Sequence, residues 1–258
     1  MTSTVLAPCP ALAGFVELFW AEEAGCRTPG TERVLPSGTT DIVFDLQDPS
    51  RPAVICGPHS QPFALERAAR ESYAGIHFKP GGAAALLGVA ESELANAHVG
   101  LDAIWGGAAR ELSHRLCEAA TPDLRLRLLE HALLARLDRA RARHPAVTYA
   151  LCQLSRSPAP RSIGEIGANA GLSARRFIAL FTAQVGLTPK LFARVRRFQR
   201  VLKLAHARPH PDWIELALGC GYYDQAHLVR DFGDFASLAP SAYLRLRSHD
   251  PNHISLPS

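Results

Sequence analysis

Two segments in the C-terminal half of this chain repeat one plan. SIGEIGANAGLSARRFIALFTAQVGLTP (162–189) and DWIELALGCGYYDQAHLVRDFGDFASLAP (212–240) each carry a short apolar helical stretch and then a glycine turn, at Gly171 or Gly221. A second helical stretch follows, with a Thr-Pro or Ala-Pro ending. Helix, tight turn, helix is the helix-turn-helix plan. Any helical hairpin imitates one copy. Two in tandem, joined by a helical segment 190–206, restrict the chain to a pair of such units on a shared helix. At 1.5 Å per residue that helix would be ~25 Å long, a spacer suited to successive major-groove segments about one turn of ~34 Å apart.

The spacing within each unit sorts its side chains. In the first, Ser173 is placed as N-cap. Phe177 and Phe181 fall four apart on one face with Leu180, a core pattern. The outward face then holds Arg175, Ile178, Ala179 and Thr182. In the second, Asp224 is the N-cap, and Leu228 and Phe232 repeat the core spacing. Gln225, Ala226, Val229 and Arg230 lie on the other side. Gln pairs bidentately with adenine, Arg with guanine, and Ala or Val can touch a thymine methyl. The competing reading is a pair of packing hairpins with ordinary solvated faces.

Charge separates the same half from the rest. The formal net charge is +4, but residues 159–247 carry 13 Lys/Arg against 6 Asp/Glu, while residues 1–158 carry 15 against 17. From Ala174 to Pro211 there are nine basic residues and no acid. Such a face repels itself unless something outside supplies anions, and a phosphate backbone does so. Arg176, Lys190, Arg194 and Arg197 are the candidates for phosphate contact. Asp231 and Asp234, by the same logic, should weaken the second unit's hold on DNA.

Residues 13 to about 80 read differently. GFVELFWAEE, ERVLP, TDIVFDL, AVICG and SYAGIHF are β-branched or aromatic runs punctuated by Pro, Gly, Asp and Ser. They suit a small antiparallel sheet or barrel. Helical character begins after Gly82, and the Lys79-Pro80-Gly81-Gly82 step lacks phosphate-loop spacing. Thr121, Pro122 and Asp123 mark a helix start. Leu126, Leu129, Leu133 and Leu137 then form an apolar stripe that either packs on its own domain or serves as a homodimer seam within 122–142. Arg33, Asp41, His59 and His77 are candidates to line an effector pocket, although a half-buried strand accounts for Asp41 and Asp45 without a ligand.

The expected architecture is α+β. A β-rich sensing or dimerisation domain with a helical extension (1–142) precedes an all-α domain of two helix-turn-helix units (143–248). The Pro/Ser loop at 155–161 falls inside the second. The six cysteines are scattered without a CxxC pair, which suits reduced thiols in a cytoplasmic protein and argues against a metal site. No cofactor is implied. No apolar run approaches the ~20 residues of a membrane span, and no signal peptide is evident.

GLSARRFIALFTAQVGLTP, and GYYDQAHLVRDFGDFASLAP followed by Tyr243-Leu244-Arg245, make the last ~100 residues resemble the AraC/XylS family of bacterial transcription regulators. The resemblance implies two helix-turn-helix units binding double-stranded promoter DNA, with RNA polymerase as a partner. Its base-reading positions fall on Arg175, Ile178 and Ala179, and on Gln225, Ala226, Val229 and Arg230. The chain departs from it at Ala179 and Thr182, where basic residues are usual. It departs again at Gly233 and Asp234, also usually basic, and at Ser237, usually glycine. ERVLPSGTTDIVFDL, CGPHSQPF and HFKPGGAAALLGVAESELANAHVGLDAIWG resemble an uncharacterised domain often fused to such modules. Two other functions stay in view. A DNA-repair methyl acceptor needs a thiolate held by a zinc cluster, and the early cysteines Cys9, Cys26 and Cys56 lack the paired spacing for one; no GxSxG or HExxH motif points to a hydrolase. A nonspecific architectural DNA binder would show equal affinity for all sequences.

Overall fold

The structure is a computed structural model describing residues 2–23, 29–68, 71–137, 142–156 and 163–256. Cys26, residues 138–141 of the suggested dimer segment, residues 157–161 of the Pro/Ser loop and Ser162 lie outside the described residues. The order is β1 (Thr2–Leu6), β2 (Val16–Glu23), β3 (Gly30–Val34), β4 (Asp41–Asp45), β5 (Val54–Cys56), β6 (Phe63–Arg67), β7 (Tyr73–Phe78), α1 (Ala83–Leu87), α2 (Glu91–Leu94), β8 (His98–Gly100), α3 (Asp102–Trp105), α4 (Gly107–Glu118) and α5 (Pro122–Leu137). Then come α6 (Pro145–Arg156), α7 (Ile163–Asn169), α8 (Ala174–Val185), α9 (Pro189–His206), α10 (Trp213–Gly219), α11 (Gln225–Ala236), α12 (Pro240–Leu246) and β9 (His253–Ser255).

The N-terminal strands pair antiparallel in the order β1-β2-β7-β4-β5-β8. Among the described residues the sheet is open, with β1 and β8 at its edges. The period-2 pattern of β4 explains its face: Ile42 and Phe44 are fully buried, while Asp41, Val43 and Asp45 are half-buried. Ile42 stands opposite Ile76, and Phe44 opposite Ala74, so one register places all four in one core. That core is closed by α5. Thr121 Oγ1 accepts the amide of Leu124, Pro122 opens the helix, and α5 lies across β2, β1 and β7. Leu126, Leu129 and Leu133 are buried there, and Leu137 packs against the same cluster. The stripe suggested as a dimer seam is thus spent on its own domain, because an apolar helix face beside an apolar sheet face buries itself at once.

The C-terminal core is built on α9. Thr188 Oγ1 accepts the Leu191 amide, and Pro189 sits in the first turn. The apolar stripe Phe192, Val195, Phe198, Val201, Leu202 and Ala205 is buried. The Phe192 ring meets Phe181 of α8 at 5.7 Å, and Phe198 meets Phe232 and Phe235 of α11 at 5.1 and 5.3 Å. One helix therefore supplies core to both units.

A second, small sheet lies outside the first, in the order β6-β3-β9. Its last strand comes from the C-terminal tail and was not foreseen in the sequence. Leu35, just after β3, and Ile254 of β9 belong to the C-terminal core.

Candidate nucleic-acid interface

Both turns are set by a glycine in the left-handed region, Gly171 at φ +68° and Gly221 at φ +84°. Ser173 accepts the Arg176 amide and Asp224 accepts the His227 amide at 2.7 Å, so each second helix starts on a side-chain cap. Phe177, Phe181, Leu228 and Phe232 are fully buried. What each helix turns away from the core is then fixed by the 3.6-residue period.

On α8, Arg175, Arg176, Ile178 and Ala179 are exposed. Thr182 is not part of that surface: it is half-buried, and its Oγ1 is buried without a hydrogen-bond partner among the described residues. The C-terminal half of α8 packs against α2 and against the segment before α6. Gln184 accepts the His144 amide at 3.0 Å there, and Gly186 at the helix end abuts Pro58 and the Glu91 carbonyl. On α11, Gln225, Ala226, Val229 and Arg230 are exposed. Arg230 Nε donates to Ala226 O at 3.3 Å, which lays its stem along the helix. Tyr223, in the turn before the N-cap, is 87% exposed. Sequence reasoning passed over it, although an aromatic between a helix-turn-helix glycine and an N-cap is itself a signal.

The basic segment behaves differently from expectation. Arg176 and Lys190 are exposed. Arg194 and Arg197 are already paired. Arg194 donates to Asp231 at 2.7 Å and to Asp234, and Arg197 reaches Asp231 at 3.3 Å, donates to Gly221 O and stacks over the Tyr222 ring at 4.2 Å. The missing acids of α9 are thus supplied by α11. Asp231 is buried and neutralised between two guanidiniums, so it does not stand as a free repellent charge beside phosphates.

The four effector candidates do not gather into one pocket. Asp41 and His77 face each other across β4 and β7 with Oδ1 and Nδ1 2.6 Å apart. Burial works to lower the His77 pKa, but the Asp41 carboxylate outweighs it and raises it. His59 stacks instead on Phe63 and His98, with its Nε2 buried and without a hydrogen-bond partner among the described residues; burial and then His98 push it down to about 4. Arg33 points into the C-terminal domain, donating to Ala236 O at 2.9 Å.

Burial also governs the thiols: it pushes Cys56 up to about 12, with Asp41 adding to the effect, and raises Cys117 and Cys220. These are the opposite of activated nucleophiles. Among the described residues no three His, Cys, Asp or Glu side chains converge as a metal site requires. No helix there is long and apolar enough to cross a membrane.

The seam between α2 and α8 holds one buried acid. Glu91 is fully buried and accepts from the Ala83 and Ala84 amides and the Thr40 hydroxyl. Burial pushes its carboxyl up to about 7, against the pull of these donors and of Arg143. The folded chain therefore holds this proton more tightly than the unfolded one, where the ordinary value is 4.5. Its contribution to stability is fully present below about 4.5 and is lost as pH rises through about 7. Urea midpoints at pH 5 and pH 8 for wild type and Glu91→Gln should show wild type losing on the order of 2 kcal/mol relative to the variant at the higher pH. A gap that stays constant between the two pH values would remove the raised carboxyl from the account.

Comparison with known proteins follows this division. Residues 4–100 match a domain of unknown function, DUF6597, and residues 166–246 match a helix-turn-helix domain family. No curated protein matches the chain. Among solved structures, ToxT from Vibrio cholerae aligns over 95% of this chain and 97% of its own, at 9% identity and a TM-score of 0.44. ToxT of strain O395 aligns over 96% and 98%, at the same identity and score. An unsaturated fatty acid bound ToxT aligns over 94% and 93%, at 10% identity and 0.43. With the tandem units and their exposed faces in place, the two matches divide the chain as the structure does: a region similar to DUF6597 at residues 4–100 and a helix-turn-helix domain at residues 166–246.

Proposed function

We propose that the chain regulates transcription by reading two successive major-groove segments of promoter DNA. Arg175, Ile178 and Ala179 on α8 read one, and Gln225, Ala226, Val229 and Arg230 on α11 read the other. The observation that carries this is the pairing of two capped helices, each with its polar and apolar reading set exposed and its aromatic face buried. Arg176 and Lys190 hold phosphates and set affinity; the reading sets supply specificity. Arg194 and Arg197 serve the framework between α9 and α11, where Asp231 keeps them.

Selection of duplexes from a random library by the purified chain, at low and physiological salt, tests this. A defined motif should emerge. Arg230→Ala should relax it at one position at a cost of about 1–3 kcal/mol, and Arg175→Ala should do so in the other half of the site. Lys190→Ala should weaken all duplexes alike and reduce the salt slope by about 1. Equal binding to every duplex with a steep salt slope would instead support the nonspecific architectural reading.

A further inference from the structure

The N-terminal domain touches α11 at one end, and it does so through β3. Strand β3 pairs antiparallel with β9, with Glu32 opposite Ser255, Arg33 opposite Ile254 and Val34 opposite His253. Flanking bonds extend the register: Leu35 N donates to Asn252 O at 2.8 Å and Leu256 N to Thr31 O at 3.0 Å. His253 Nδ1 lies 2.8 Å from Glu32 Oε2. The tail is tied equally to the second unit, where Tyr243 donates to Pro251 O at 3.0 Å and Ile254 is fully buried in the C-terminal core. Beyond β3, Pro36 O accepts from Gln199 of α9 at 2.7 Å.

At the centre of this arrangement is Arg33. Its Nη1 donates to Ala236 O, the carbonyl of the last residue of α11. The last four carbonyls of a helix have no partner within the helix, and a cation there also meets the negative end of the helix dipole. The cap itself is Ser237, held at φ +53° where most residues are disfavoured. An end closed by a non-glycine residue in that conformation gains from a donor supplied across the domain boundary. The reading set, 225–230, occupies the opposite end of the same helix. A 12-residue helix is a stiff rod of about 18 Å. Displacing its C-terminal end swings its reading end.

We infer that Arg33 is a positioning residue for the second reading helix, and that β3 with β9 is the splint through which the N-terminal domain sets that helix's pose. This deepens the proposed DNA reading and rests on it. It also implies that a change in β3 reaches the second half of the operator without touching the first, whose helix α8 meets the N-terminal domain elsewhere, at α2.

The test uses the full chain as wild type, Arg33→Ala and Arg33→Lys. Duplexes carry the selected motif with one half or the other scrambled, the halves having been assigned by Arg175→Ala and Arg230→Ala. Arg33→Ala should bind the intact site roughly tenfold more weakly and lose discrimination in the half read by α11, while keeping it in the half read by α8. Arg33→Lys, which retains a cation able to donate to Ala236 O, should recover most of both. Amide exchange without DNA should quicken over the last turn of α11 in Arg33→Ala and stay unchanged in α8. Wild-type discrimination in both halves, or equal loss in both with a lowered melting temperature, would overturn the positioning role, as would unchanged exchange at α11. If wild type itself selects no motif, the DNA reading falls first, while a local quickening at α11 would still place the splint.

Discussion

Asp231→Ala is expected to destabilise the chain by about 3 kcal/mol and to lower its urea midpoint accordingly. The Asp231 side chain is only 2% exposed, and its two oxygens serve Arg194 and Arg197. Removing it leaves two guanidiniums side by side on one face of α9 without the carboxylate they share. Asp234 can still hold Arg194, but among the described residues Arg197 keeps the Gly221 carbonyl, the His227 ring and the Tyr222 face, none of them an anion. Breaking a buried pair by deleting one partner costs about 3–5 kcal/mol when both charges are desolvated. Here Arg194 and Arg197 are partly exposed, and water screens some of the loss. The same substitution should loosen α11 against α9 and, on the proposed function, cost discrimination in the half-site assigned to α11. A midpoint unchanged to within about 0.5 kcal/mol would show that the network is ornamental.

Gly186→Ala is expected to cost about 2–4 kcal/mol, a figure that sums a left-handed backbone penalty and a steric one. Gly186 closes α8 at φ +80°. A Cβ there would lie 2.2 Å from Pro58 Cγ and 2.9 Å from the Glu91 carbonyl oxygen. The proline ring and the α2 backbone have little room to yield, because Glu91 is pinned beneath them by three hydrogen bonds. Gly88→Ala is the matched control. Gly88 also closes a helix in the left-handed region, at φ +78°, but nothing lies within 4 Å of its added Cβ. It should cost only the conformational part, about 1 kcal/mol. The difference between the two variants, measured by urea unfolding, isolates the contact between the N-terminal domain and α8. Equal losses would mean that α2 and α8 merely lie near one another.

Both experiments probe contacts whose partners are far apart in the chain, and that separation marks the line between what was legible in the residues and what was not. The two helix-turn-helix units could be read directly. Their determinants are local: Ser173 and Asp224 cap the next turn, Gly171 and Gly221 supply one backbone conformation, and Phe177 with Phe181, or Leu228 with Phe232, lie four apart. The strand period of β4 was legible for the same reason.

Other features had no local signature. The leucine stripe of α5 declares an apolar face but not its partner, and the sheet of its own domain claims it. Thr182 shares the outward arc of α8 with Ile178 and Ala179, yet it is half-buried and its hydroxyl oxygen is buried. Asp231 stands between Arg230 and Phe232 as an apparent liability to a phosphate, and becomes a brace because Arg194 and Arg197 approach it from α9. The tail His253-Ile254-Ser255 is too short to announce a strand and is one because the edge of β3 offers it hydrogen bonds. Arg33 belongs by sequence to a β-rich domain and by contact to the end of a helix 203 residues away. Short-range geometry and periodicity reside in the residues themselves, so the sequence alone determined the units and their exposed faces. Which face is covered, which charge is paired and which domain holds which helix are long-range choices, made only when the chain closes on itself.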